Sequence, residues 1–433
     1  MQHIQGISRH QLQMSSLEDK ITADNPVRFI DAFVNHIDPV KIGFKPKILK
    51  TEGRPNFRLE VFLKLYLYGY LNGVRSSRRL EKECFRNIEV QWLLEAIYPN
   101  YHSIADFRKD NPKALKQLFK LFVSFLKDAE LIAGDTIAID GTKSRAHNSK
   151  KANYNQKKID KHKAYIDAKS QEYLDQLEQN DIQENPVVIK NIQQKIEGLK
   201  QNKIKYELLE EELKNSGEPQ ISTTDADARA LLVQGQVVEV SYNIQAAVDS
   251  KHNLVVATHT INRNDKNALA AIALEVKENL ALETFTVLVD KGYHNGRELH
   301  TCKQNNITTI VAVPEQGKSN ENGTQPEYLV SKFIYNKENN SYTCPEGKTL
   351  TTTGSWHKKT GRTEESGYNF QKYRTPACKT CLVKDLCTSR NGGREIDRSQ
   401  YADAVEENHQ RYKDNPQLYR KRQEINEHIF GTI

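Results

Sequence analysis

The chain has 433 residues, 37% of them hydrophobic, and 63 Lys and Arg against 56 Asp and Glu leave a net charge of +7. Mean hydropathy is −0.72, no apolar run approaches the ~18 residues a membrane span needs, and the first 25 residues lack a basic-then-apolar signal pattern. Neither a membrane-spanning nor a secreted protein is expected. A cytosolic (cytoplasmic) chain without disulfides, with two or three domains and at least one large core, is expected.

Asp24-Asn25-Pro26 reads as a helix start, with Phe29, Ile30, Phe33 and Ile37 on one face. Phe57 to Leu71 is apolar on nearly every side, a buried helix that Asn72-Gly73 stops. In the next segment Ser76 and Ser77 suit a helix cap, and Arg75 and Arg78 suit either a solvated helix start or a DNA phosphate. Ile88 to Ile97 reads as a short helix closed by Pro99, and Ser103 to Asp106 as a capping box. Pro112 opens a helix whose Leu115, Leu118, Phe119, Phe122, Phe125 and Leu126 form a core face. Residues 1–132 thus make an all-helical domain, one that can hold a helix-turn-helix-like DNA reader.

Asp135 to Thr142 alternates and is β-branched, so it reads as a strand ending in Asp140-Gly141. Thr284 to Val289 is a second buried strand, delivering Asp290 before Lys291-Gly292-Tyr293. A strand-ending Asp can merely start a turn. Two such carboxylates on neighbouring strands can also hold Mg²⁺, since hard cations take anionic oxygen ligands. Positive charge concentrates between Lys143 and Lys163. There Lys143, Arg145 and Lys150 suit a phosphate backbone led towards the metal.

The span 155–215 reads as two antiparallel charged helices divided at Asn185-Pro186. Asp225 and Asp227 sit in a polar turn-like stretch and read as loop or cap. Val237 to Val248 and Leu254 to Ile261 form a hairpin, Asn264-Asp265 starts a helix reaching about Leu282, and Ile307 to Val313 is a fifth strand. Asp249, at the hairpin tip, is a rival second carboxylate in a poor place to hold a metal. Without the helical insert, this order is that of a ribonuclease-H-like α/β core with a mixed five-stranded sheet, spanning 133–314. Residues 315–400 show little periodicity and hold Cys344, Cys378, Cys381 and Cys387. This pattern in a poorly cored segment suits a small insertion with structural zinc, against reduced thiols or a redox pair. Glu406 to Glu427, within 401–433, reads as helix broken at Asn415-Pro416.

Several motifs together carry a resemblance over nearly the whole chain: Gly53-Arg54-Pro55, Leu63 to Tyr70, Arg75 to Glu81, Ile104 to Arg108, Ile139 to Thr142, Tyr242 to Asp249, Val289 to Tyr293, and Tyr419 to Ile433 with Arg422 and Glu427. The chain resembles a DDE transposase of a bacterial insertion sequence, with an InsH-type helical N-terminal domain. The resemblance implies a catalytic triad of Asp140, Asp290 and Glu427 holding two Mg²⁺ ions, with Mn²⁺ as a substitute. Water would first cut the element end, and the freed 3′-hydroxyl would then attack target DNA. It implies that Tyr419 and Arg422 contact DNA near the scissile phosphate, with Tyr293 in the same motif set. It places the cysteines in an insertion between the fifth strand and the Glu-bearing helix. The expected partners are double-stranded terminal inverted repeats and target DNA, bound by a homodimer, with no membrane partner. Similar transposases continue the last helix to a Lys about two turns past the Glu. This sequence stops at Ile433, six residues past Glu427, which implies a shortened helix. The alternative readings are a nuclease that cuts without joining and a truncated DNA-binding relic or repressor.

Overall fold

The computed structural model describes residues 8, 10–12, 14–45, 55–181, 186–233, 237–314, 324–361 and 367–431. The sequence-motif residues Gly53, Arg54, Asn185, Thr432 and Ile433 lie outside that set. Two compact units meet between Phe125 and Leu126.

The first unit is helical: α1 Pro26–His36, α2 Leu59–Leu71, α3 Ser77–Arg86, α4 Ile88–Leu93, α5 Tyr101–Asp110, and α6 Pro112–Asp128, which ends just past the boundary. Asn25 starts α1 by accepting the Val27 N–H, a side-chain cap that satisfies an orphan donor. The α2 helix is nearly all core: Val61, Leu63, Leu65 and Tyr68 pack with Leu80, Cys84, Val90, Leu93 and Ile104. Three local expectations change. Ser76 stands at the start of α3 without a side-chain cap bond. Asn100, not Ser103, caps α5 by accepting the Ser103 N–H, so the Ser103–Asp106 pair lies one turn inside the helix. The apolar face of α6 is only partly core: Leu118 is buried, whereas Phe125 is 42% exposed and packs on Phe29 and Phe33.

The second unit is built on a six-stranded mixed sheet. Its strands are β1 Thr136–Arg145, β2 Arg229–Val233, β3 Val237–Asp249, β4 Val255–Ile261, β5 Phe285–Val289 and β6 Ile307–Val311. The β3 strand is antiparallel to β1 on one side and pairs with β2 and β4 on the other; β5 is parallel to both β1 and β6. Across the sheet this gives β4-β3-β1-β5-β6, with β2 alongside the first half of β3. The five expected strands are present. The sixth, β2, falls on Arg229-Ala-Leu-Leu-Val, where the preceding polar stretch reads as a loop. Asp225 does lie in a loop, where its carboxylate accepts the Tyr242 hydroxyl at 2.6 Å.

Successive strand residues face opposite sides. Ala138, Ala246, Val248, Leu288 and Ile310 form one face, here the front. Helix α12 (Pro416–Phe430) covers it with Leu418, Tyr419, Ile425, Ile429 and Phe430. Helices α9 (Leu269–Asn279) and α10 (Gly296–Gln304) bury Leu269, Ile272, Val276 and Leu299. Helix α11 (Ala402–Asp414) runs along the edge strand β6. There Asn408, fully buried, accepts the Val311 N–H at 2.9 Å and donates to the Val311 carbonyl at 3.0 Å. That satisfies the open edge of the sheet.

Helices α7 (Gln156–Asp181) and α8 (Pro186–Ser216) form the expected antiparallel pair. Lys163–Glu210 at 2.8 Å and Lys203–Asp167 at 2.7 Å tie them, over a small core of Ile159, Leu209, Leu213 and Ile221. The cysteine-bearing segment is better cored than its sequence suggests. It holds one small sheet of β7 Ile334–Asn336, β8 Ser341–Thr343 and β9 Thr349–Thr351, and another of β10 Trp356–Lys359, β11 Tyr368–Tyr373 and β12 Ile396–Ser399. Phe333, Tyr342, Leu350, Tyr373 and Ile396 give it a core of its own.

Candidate active site at the sheet edge

The register of β1 and β5 sets the geometry. Ile139 lies opposite Val289 in the parallel ladder, so the next residues, Asp140 and Asp290, follow side by side where that ladder ends: Asp290 comes just after β5, whereas β1 does not stop at Asp140 as expected but runs on to Arg145 beside β3. The end of such a ladder is where open α/β sheets carry their ligands. Asp140 is paired with Ala246 across β3, which puts it on the front face that α12 covers.

Asp140 Oδ1 accepts its neighbour's amide, Gly141 N–H, at 2.8 Å. Its Oδ2 accepts from Arg422 Nη1 at 3.2 Å, a bond donated by α12. Burial pushes the Asp140 carboxyl above the usual carboxylate range. The negative charges of Asp290 and Asp265 add to this, while the Gly141 amide and Arg422 oppose it.

The opposite side of β1 carries a second carboxylate centre that the sequence reading treated only as a helix start. Asp265 Oδ1 accepts from Asn243 Nδ2 at 2.7 Å and Gln245 Nε2 at 2.9 Å, and Lys143 Nζ lies 3.2 Å from Oδ2. Gln245 in turn accepts the Tyr293 hydroxyl. Gly141 lies opposite Gln245. A Cβ there would meet Asn243 Oδ1 at 2.7 Å and Asp265 Oδ1 at 2.8 Å and would collide with Gln245 Nε2. The glycine after Asp140 is therefore demanded by crowding. Gly292, after Asp290, is not crowded: its nearest neighbour would be Asp265 Oδ2 at 3.6 Å.

Pro416 opens α12 after Asn415. Tyr419, Arg422 and Asn426 follow at helical spacing on the covered side. Asn426 is 2% exposed, and neither its Oδ1 nor its Nδ2 has a hydrogen-bond partner. Glu427, one residue on, is exposed. The structure thus brings Asp140, Asp290 and Arg422 together and leaves Glu427 on the solvent flank. Among the described residues, no three His, Cys, Asp or Glu side chains stand close enough to hold a metal ion.

The expected DNA-contacting residues divide. Arg75, Arg78 and Lys150 are exposed, with Arg78 over the Tyr101 ring at 5.1 Å. Arg145 is exposed but ion-paired to Glu239. Lys143 is mostly covered and engaged by Asp265. Tyr293 is 1% exposed, so it is an internal strut and not a surface contact. Burial and the nearby carboxylates push its hydroxyl well above the usual tyrosine range. Tyr419 is half-buried, edge-on to Tyr412 at 4.9 Å, with the Arg422 guanidinium 5.7 Å from its ring centre. Asp249 is buried and accepts the Gly134 N–H at 2.8 Å and the Lys251 N–H at 2.9 Å, the role of a turn carboxylate.

Two families match the chain. The Transposase domain family (DUF772) matches residues 15–110, and the Transposase DDE domain family matches residues 343–433. Both matches are to transposase families, and together they support a DDE-type insertion-sequence transposase. The first match covers most of the helical unit; the second covers the four cysteines, Arg422 and Glu427, while Asp140 and Asp290 lie between the two. The DDE domain implies a ribonuclease-H-like fold, in keeping with the mixed sheet of this transposase. No curated protein and no solved structure matches. Among its described residues, no helix is long and apolar enough to cross a membrane.

Proposed function

We propose that this transposase binds the ends of its insertion element as a homodimer, cleaves them and joins them to target DNA, with Asp140, Asp290 and Glu427 as the metal-holding carboxylates. The observation that carries the reading is the register that sets Asp140 beside Asp290 where the parallel ladder of β1 and β5 ends. Their oxygen donors fit a hard divalent cation such as Mg²⁺ or Mn²⁺. Such ions, a pair in this reading, would polarise the phosphodiester and acidify the attacking water or hydroxyl.

The chain's own residues do the rest. Asp140 and Asp290 present anionic oxygens on a rigid sheet edge, and the Asp265 network behind β1 holds that edge in place. Arg422 neutralises Asp140 in the free protein and is positioned to turn its guanidinium to a phosphate when a cation takes over that carboxylate. Glu427 joins the pair when α12 turns about its axis by roughly one residue step, ~100°, exchanging the buried Asn426 for the carboxylate. Arg75, Arg78, Lys150 and Arg145 supply phosphate contacts, so end binding weakens steeply with salt.

A DNA carrying the element's terminal repeats, incubated with Mg²⁺, tests the reading. Asp140→Asn, Asp290→Asn and Glu427→Gln should each abolish nicking and strand joining while end binding in a gel shift persists. Full cleavage by Asp140→Asn would sink the assignment. Cleavage without joined products would leave a nuclease.

A further inference from the structure

The four late cysteines come from separate elements. Cys344 follows β8 in the first small sheet. Cys378 and Cys381 lie in and just after the 3₁₀ turn Pro376–Thr380, beyond β11, and Cys387 closes the turn Lys384–Cys387. All four are free thiols, and all four line one cavity of about 30 Å³. That is room for a single ion; organic ligands need roughly 300 Å³ or more.

The surrounding backbone is built for sulfur. Cys344 sits in a tight turn: its carbonyl accepts the Gly347 N–H at 2.9 Å, and its Sγ accepts the Lys348 N–H at 3.2 Å. On the far side, Gly393 holds φ +88° with its Cα against Cys378; any Cβ there would collide with the Cys378 Cβ. The wall also carries Lys348, Lys384 and Arg394, and Arg394 Nη1 donates to the Cys387 carbonyl at 3.3 Å. Four thiolates around a divalent ion carry a net charge of −2, and these cations offset it.

We propose that Cys344, Cys378, Cys381 and Cys387 bind one Zn²⁺ ion tetrahedrally, a structural site that ties the first small sheet to the second. Four thiolates leave no open coordination position, so the site is not catalytic. As the ion binds, four S–H bonds break, four protons pass to solvent and four Zn–S bonds form, with no change of oxidation state. Because no three ligand-type side chains already stand at binding distance among the described residues, the ion draws the thiolates inwards, the usual coupling of metal binding to local folding. The second sheet leads through β12 into α11, where Arg398 pairs with Asp403 at 2.5 Å and with Glu406. The zinc therefore anchors the base of the segment that carries Arg422.

Metal content of the full chain, purified under reducing conditions from zinc-supplemented cells, tests the site independently of DNA cleavage. The expected result is one zinc per chain. After Co²⁺ replacement, a strong sulfur-to-cobalt charge-transfer band and tetrahedral ligand-field bands should appear. The double variant Cys378→Ser/Cys381→Ser should lose the metal and both spectral signatures, while Cys84→Ser keeps them. A wild-type chain that takes up no zinc and shows no cobalt–thiolate band overturns the proposal, and needs no variant to fold. Undiminished zinc in the double variant overturns it as well.

Discussion

Arg422 Nη1 lies 3.2 Å from Asp140 Oδ2, joining α12 to the middle of β1. The pair is partly covered, with side-chain exposures of 11% for Arg422 and 33% for Asp140. Asp140 is also pressed by Asp290, so removing the guanidinium leaves its charge poorly balanced. Arg422→Gln should cost about 1–2 kcal/mol. The cost should shrink sharply in an Asp140→Asn background. A double-mutant cycle by urea unfolding measures the coupling, and additive losses would show that the contact stabilises nothing.

The two glycines after the carboxylates should behave differently. Gly141→Ala drives a methyl into the Asn243, Gln245 and Asp265 cluster and should cost about 1–3 kcal/mol. Gly292→Ala, with Asp265 Oδ2 at 3.6 Å, should change stability by less than about 0.5 kcal/mol. Thermal melts of the two variants side by side check this. Equal losses would mean that Gly141 is not crowded in solution.

Most of the sheet was legible in the sequence because its strands are β-branched and alternate cleanly, as in Ile137-Ala-Ile-Asp140 and Val287-Leu-Val-Asp290; the end of β1 was not, because Gly141 reads as a turn while the strand runs on to Arg145 beside β3. The β2 strand escaped because Arg229-Ala-Leu-Leu-Val is short and follows a polar stretch with turn signals. The small sheets escaped for a related reason. Phe333, Tyr342, Leu350, Tyr373 and Ile396 pack together, but they are spread over many residues and no single strand shows a period. At the site, Asp140 and Asp290 were visible as carboxylates that follow apolar strand residues. Asp265 was not, because its role comes from β1–β3 register, which sets Gln245 opposite Gly141 and Asn243 opposite Lys143. Asn426 carried a faint signal, one turn after Arg422 on the same helical side.

His294, just past the Lys291–Tyr293 turn, gives the molecule an acid-side weakness. Burial lowers its pKa below the usual 6.5, and the nearby His409 of α11 works in the same direction. Its Nε2 is buried without a partner. A histidine with a depressed folded-state pKa is held neutral by the fold, while the unfolded chain takes up the proton first. Stability should therefore be intact above about pH 6.5 and fall as pH drops from there through the lowered folded-state value. Melting temperature followed from pH 7.5 to 5 should decline more steeply for the wild type than for His294→Gln. Parallel curves would remove His294 as the cause.

Asn426 tests the turning of α12 directly. A buried carboxamide with two unpartnered polar atoms costs roughly 1–3 kcal/mol, and leucine has the same branched side-chain shape, though it is larger. Asn426→Leu should therefore stabilise the free protein, by about 1–2 kcal/mol after imperfect packing. The same apolar side chain would fasten α12 in the orientation that keeps Glu427 in solvent. Stabilisation should then come with a loss of metal-dependent cleavage and unchanged end binding, whereas Glu427→Gln should lose cleavage with no gain in stability. If Asn426→Leu melts higher and still cleaves at the wild-type rate, Glu427 reaches the carboxylate pair without α12 turning, or the third carboxylate lies elsewhere.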